Sequence, residues 1–224
     1  MIKILFLFLF LSFPFITLGD TIPESMFGLD SAHIKLVNNK GEGYSQLNGV
    51  RNFRVVLINT VYRGGGKNTI NMNPLPYEAI NNLRKIGFSK AIYLYYTNFN
   101  QQYPKSILDS LQNINFNYIC RPSIDENMLK EYFNDVLEVI KNPEIGPIYI
   151  HCWNGWHQSG VLSAYTLIQF CGISNDQALK YWEICAYPNN IGYEGLKSKI
   201  KNFKPYPEFF ISKKQKERIC PCLK

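Results

Sequence analysis

Charge is sparse in this 224-residue chain: Asp, Glu, Lys and Arg make up 18%, against 46% hydrophobic residues. With apolar segments recurring throughout, that balance excludes a chain disordered along its whole length. Histidine is scarcer still, limited to His33, His151 and His157, and no second ligand pair with metal spacing accompanies Cys220-Pro-Cys222. No metal site and no cofactor are therefore expected. There is no internal repeat and no low-complexity linker, and the length suits one well-buried core and is short for two domains. Beyond residue 19 no stretch is long and apolar enough to span a bilayer, so the mature form is expected to hold no stable membrane span.

What is present begins with a targeting pattern. Met1-Ile2-Lys3 is a short positive start, Ile4 to Phe13 is apolar apart from Ser12, Pro14 breaks the run, and Thr17-Leu18-Gly19 supplies small residues. This reads as a secretory signal cleaved after Gly19; an uncleaved anchor would need a longer apolar core. The expected location is secreted or periplasmic, where disulfides persist. Six cysteines (120, 152, 171, 185, 220 and 222) allow 15 pairings, which the sequence does not choose among, and the tail cysteines are placed to pair with the body. Without Lys3 the chain still carries 23 basic against 17 acidic residues, about +6. A positive protein favours anionic partners, phosphorylated molecules among them; no nucleic-acid partner is expected. Much of the positive charge clusters in the tail, where a charge run is commonly a solvated end.

The chain divides into a signal peptide (1–19), an irregular segment (20–53), a folded domain (54–205) and a basic tail (206–224). Arg54 to Ile58 reads as a strand, and Tyr62-Arg63-Gly64-Gly65-Gly66 as a flexible turn. Tyr77, Ile80, Leu83 and Ile86 share a helical face stopped by Gly87. Ala91 to Tyr96 is a short strand, and a helix opens at Pro104. Phe116, Tyr118 and Cys120 alternate as in a half-buried strand. Leu129, Phe133, Val136, Leu137 and Ile140 form a helical stripe. Pro147 to His151 is a strand, Gly160 to Phe170 an apolar helix, and Ser174 with Gln177 a capping box. A last helix carries Leu196, Ile200 and Phe203. Alternating strands and helices predict an α/β fold with a mostly parallel central sheet flanked by helices. Ligands then sit beyond the carboxyl ends of the strands, which directs attention to the segment after Ile150.

That segment runs His151-Cys152-Trp153-Asn154-Gly155-Trp156-His157-Gln158-Ser159-Gly160. A strand ends, a short loop turns and a helix begins, so backbone N–H groups can converge on an anion. A cysteine at the mouth of such a loop is favoured as thiolate and becomes a nucleophile. Gly155 permits a tight curl, and Ser159 is placed to donate to the cysteine sulfur. His151 reads as a structural residue that fixes the loop. Trp153 and Trp156 either line the mouth or pack against neighbouring loops.

Here the chain resembles the protein tyrosine phosphatase superfamily, in its dual-specificity branch. The signature is His-Cys, five residues, Arg, then Ser or Thr, with a glycine in the middle. His151, Cys152, Gly155, Ser159 and Gly160 match it, and the likeness runs from about Tyr62 to Ala186. It includes an early Tyr-Arg, the Pro-x-x-Asp segment at Pro122 to Asp125 and the Gly-x-Ser-x-x-x-Ala segment at Gly172 to Ala178. The resemblance implies a protein tyrosine phosphatase-like sheet and hydrolysis of phosphomonoesters through a Cys152 thiophosphate. It also implies an upstream acid, Asp125 with Glu126 in reserve, and phosphoprotein, phosphoinositide or inositol phosphate substrates. Asp125 equally suits the cap of the following helix. Residues 153–158 would hold the phosphate, with Arg63 either contacting the substrate or pinning the glycine segment.

One departure stands out: the signature arginine is replaced by Gln158. Losing one transition-state donor costs roughly 3–4 kcal/mol, and a lost charged fork removes bidentate grip as well. His157, Arg63 or Arg121 are candidates to restore positive charge. Three readings follow: a phosphatase, a pseudophosphatase that binds phosphate or another anion with little turnover, and a thiol redox or sulfur-transfer protein using Cys152.

Overall fold

The computed structural model describes residues 34–67 and 74–221. The expected signal peptide and Cys222 lie outside them. In chain order the elements are β1 (Val50–Leu57), β2 (Val61–Gly66), α1 (Tyr77–Lys85), β3 (Lys90–Tyr93), α2 (Phe99–Gln102), α3 (Lys105–Asn113), β4 (Asn117–Cys120), α4 (Glu126–Lys141), β5 (Ile148–Cys152), α5 (Gln158–Thr166), α6 (Asn175–Ala186), α7 (Glu194–Asn202) and α8 (Lys213–Ile219). They build one five-stranded sheet in the order β1-β2-β5-β3-β4. Among these five strands only the β1–β2 pairing is antiparallel; β2, β5, β3 and β4 run parallel. Helices cover both faces, as the alternating pattern predicts.

Each face has its own core. Val61, Ile92, Ile148 and Ile150 meet α4, α5 and α6 through Phe133, Val136, Leu162 and Trp182. Tyr62, Ala91, Tyr93 and Tyr149 point the other way, against Ile80, Leu83, Phe88 and Leu111. Alternate residues of the same strands feed both cores because successive strand side chains face opposite sides. β5 lies in the middle of the sheet and all five of its residues are buried. Its carboxyl end therefore opens at a position fixed by both layers.

Two expectations change. The glycine segment is not a flexible turn but the end of strand β2, buried throughout and paired in register with β5. The glycines serve close approach. A Cβ on Gly64 would come within 2.3 Å of the Tyr149 hydroxyl oxygen, and one on Gly65 within 2.4 Å of the Trp153 carbonyl oxygen. The first strand begins at Val50, four residues before the expected start, so Arg51, Asn52 and Phe53 belong to the sheet rather than to an irregular lead-in.

The capping box of α6 is present, with Ser174 accepting from the Gln177 amide and Gln177 returning the bond to Ser174. The tail is docked: Phe209 and Ile219 are buried against the α4–α5 core, and a disulfide joins Cys171 to Cys220.

Candidate active site

β5 ends at Cys152 and α5 starts at Gln158, so five residues span the turn. Gly155, at φ 74, lies in the left-handed region that glycine enters without strain, and a Cβ there would collide with the Gly64 backbone at 2.4 Å. The loop lies flat on the glycine end of β2, and the contact is backbone on backbone.

The loop's carbonyls are held from outside. The Arg51 guanidinium donates to the Trp153 carbonyl at 3.4 Å. The Asn52 amide donates to those of Asn154 and Gly155, at 3.2 and 2.9 Å. Arg63 donates to Gly155 at 2.6 Å and Trp156 at 3.1 Å, and the Trp182 indole donates to His157 at 3.3 Å. A peptide whose C=O points outward turns its N–H inward. Among the described residues, none of the amides of residues 153–157 meets a backbone acceptor. The carbonyls of residues 153–157 are held outward, so the N–H groups of residues 154–158 turn to the opposite side, at the start of α5, where an anion can be held.

Cys152 is buried at 5% exposure, with its sulfur 3.4 Å from the Ser159 hydroxyl. That hydroxyl also lies 3.5 Å from the Gly64 carbonyl, so it has an alternative acceptor. When the sulfur is a thiolate, the hydroxyl can turn and donate to it. His151 is buried, and burial drives it down to about 3, so it stays neutral. The Cys152 carbonyl, 3.3 Å from Nδ1, can only accept, so the neutral ring carries its proton there and Nε2 accepts from the Tyr118 hydroxyl at 2.9 Å; that hydroxyl in turn accepts from the Leu75 amide. With Tyr93 and Tyr149 stacked on its ring, His151 fixes the strand end.

The remaining candidates are distributed as follows. Trp153 is 41% exposed at the rim, while Trp156 packs against the core. Asn154, His157 and Gln158 are half-buried. His157 donates from Nε2 to the Asn189 carbonyl at 2.7 Å and stacks on Tyr193 at 3.9 Å, so its ring belongs to the α6–α7 connection. Arg63 is wholly buried, bonded to the loop's carbonyls and to the Tyr181 hydroxyl at 3.2 Å, which gives it the pinning role rather than a substrate contact. Asp125 caps α4, accepting from the Met128 amide at 2.9 Å, and is exposed. Glu126 pairs with Lys130 at 2.7 Å, and Arg121 with Glu131 at 3.1 Å. Among the described residues no cluster of His, Cys, Asp or Glu is arranged to hold a metal.

Arg51, Asn52 and Arg54 were not among the sequence candidates. Asn52 sits at φ 54 in a strand irregularity between Arg51 and Arg54, and the Arg54 guanidinium holds its side-chain oxygen at 3.1 Å. The local signal was slight, an asparagine between two arginines at the start of a strand, a residue that tolerates positive φ at a bulge.

No protein-family model matches the chain, and no curated protein does. Among solved structures it is similar to the core catalytic domain of the PP-IP phosphatase SIW14 from S. cerevisiae, at 18% identity and TM-score 0.49, covering 69% of this chain and 86% of that one. It is similar to the kinase associated phosphatase KAP at 14% identity and TM-score 0.48, covering 62% and 83%. It is also similar to TpbA of P. aeruginosa at 15% identity and TM-score 0.39, covering 66% and 92%. What the site does has to follow from its own residues.

Proposed function

We propose that the chain is an exported, cysteine-dependent phosphatase-like protein acting on phosphomonoesters. The observation that carries this is the Cys152 sulfur at the mouth of a loop whose carbonyls are all tied outward. The Cys152 thiolate attacks phosphorus while the P–O bond to the leaving group breaks. Asp125 gives its proton to the departing oxygen, and the loop amides hold the equatorial oxygens. Water then attacks the thiophosphate, returns a proton to Asp125 and releases phosphate. Ser159 stabilises the sulfur as it leaves. The Cys171–Cys220 disulfide and the apolar amino terminus support export, because such bonds persist in oxidising compartments. Phosphoproteins, phosphoinositides and inositol phosphates are the substrate classes that the sequence resemblance brings forward.

A second reading, anion binding with little turnover, is favoured by Gln158, a neutral residue where the signature has a charged fork. Turnover of an aryl phosphate by the mature protein separates the two. Activity abolished by Cys152→Ser supports the phosphatase; activity that survives the substitution overturns Cys152 chemistry. Phosphate binding without turnover, with a large gain in Gln158→Arg, supports the second reading.

A further inference from the structure

The candidates for restoring positive charge that the sequence offered are occupied. Arg63 is locked behind the loop, His157 is turned toward Asn189, and Arg121 is paired with Glu131. A further arginine, not bonded to the Gly155 and Trp156 carbonyls that Arg63 holds, reaches the loop from β1. Arg51 on β1 pairs with Gly65 on β2, which pairs with Cys152 on β5. Residues in register project to the same face, so Arg51 and Cys152 share one face with a side-chain-free glycine between them. Two strand spacings, about 10 Å, separate their backbones, and an arginine side chain extends over much of that span.

The guanidinium ends at the loop. Its hydrogen bond to the Trp153 carbonyl is a long one, at 3.4 Å, and its Nε is buried without a partner among the described residues. Burial weakens its hold on the proton, and negative charge on Cys152, as a thiolate, opposes that effect. A cation on the outward carbonyl of the 153–154 peptide polarises the Asn154 N–H that faces the hollow.

Building on the reading of Cys152 as phosphoryl acceptor, we propose that Arg51 supplies, from outside the loop, the positive charge that Gln158 does not. It acts as a positioning and electrostatic residue through the Trp153 peptide. In a phosphatase with the signature arginine that charge comes from the loop itself; here it comes from the edge strand.

The test compares alkylation of Cys152 by iodoacetate, an anion, with alkylation by iodoacetamide, its neutral counterpart, in the full folded chain. The site is assigned by mass mapping because Cys120 and Cys185 also lie outside the Cys171–Cys220 disulfide. The ratio of the two rates cancels changes in thiol reactivity and reports the field at the sulfur. Arg51→Met is expected to lower the ratio about tenfold, as for a unit charge at such a distance near a protein surface. Arg51→Lys is expected to keep most of it, and adding Gln158→Arg to Arg51→Met is expected to restore it. A merely structural tie between Arg51 and Trp153 produces none of these shifts. Arg51→Gln, which keeps a donor without the charge, carries the same comparison if Arg51→Met does not fold. Equal ratios in wild type and charge-free variants, with Cys152 reactive throughout, overturn the role of Arg51. A wild-type Cys152 inert to both reagents overturns the phosphatase reading itself, before any substitution at Arg51 enters.

Discussion

Gly65 and His151 show how single residues shape the site without touching phosphate. A methyl group at Gly65 would lie 2.4 Å from the Trp153 carbonyl oxygen and 2.9 Å from the Gly155 nitrogen, both backbone atoms that cannot swing away. Gly65→Ala is therefore expected to push the loop off β2 and to cost about 1–3 kcal/mol. Isothermal titration with inorganic phosphate should show binding lost, while urea unfolding remains cooperative. His151 makes an acid-side prediction. Its unfolded value is 6.5 and burial takes the folded value to about 3. Between these values the unfolded chain binds a proton that the folded chain refuses. Stability is then unaffected above pH 6.5 and falls as pH drops below it, by up to about 1.4 kcal/mol per unit. Urea midpoints from pH 7 to pH 4 measure this slope, and His151→Gln should flatten it.

The elements were legible to different degrees. The α4 stripe, the capping box of α6 and the strand–loop–helix unit at Cys152 all follow from local rules, periodicity and caps, and all are present. The end of β2 was not legible, because Gly64, Gly65 and Gly66 read locally as a turn, and only the loop laid across them explains why side chains are missing there. Arg51 and Asn52 were illegible for the same reason: their partners lie 102 and 103 residues away, across the β1-β2-β5 register. At the start of α4 the two roles of Asp125, cap and acid, can be separated. Asparagine caps as well as aspartate, so Asp125→Asn should leave the unfolding free energy unchanged while lowering aryl phosphate turnover by about 10²–10⁴-fold. Asp125→Ala should add a loss of about 1 kcal/mol in stability. Unchanged turnover in Asp125→Asn would assign the residue to capping alone.

At the scale of the molecule, the sheet holds two cores apart and the docked tail closes one of them. Cys171 follows α5, whose first turn carries Ser159, and its bond to Cys220 closes a loop of 49 residues. In the chain-entropy view that constraint is worth about 4 kcal/mol. Replacing both cysteines with alanine should lower the urea-derived stability by roughly 2–4 kcal/mol. The site, seated at the far end of α5, should keep its phosphate affinity at temperatures where the variant remains folded. Of the basic tail residues, Lys213 and Lys214 are exposed, while the Arg218 guanidinium takes part in this closure by donating to the Ile140 carbonyl at the end of α4.

The most direct measurement is a crystal structure of the Cys152→Ser variant grown with inorganic phosphate. The expected result is one phosphate seated over position 152, within hydrogen-bond distance of the inward amides of residues 153–158. A hollow that stays free of phosphate at saturating concentration, or amides turned away from it, would contradict the proposed chemistry.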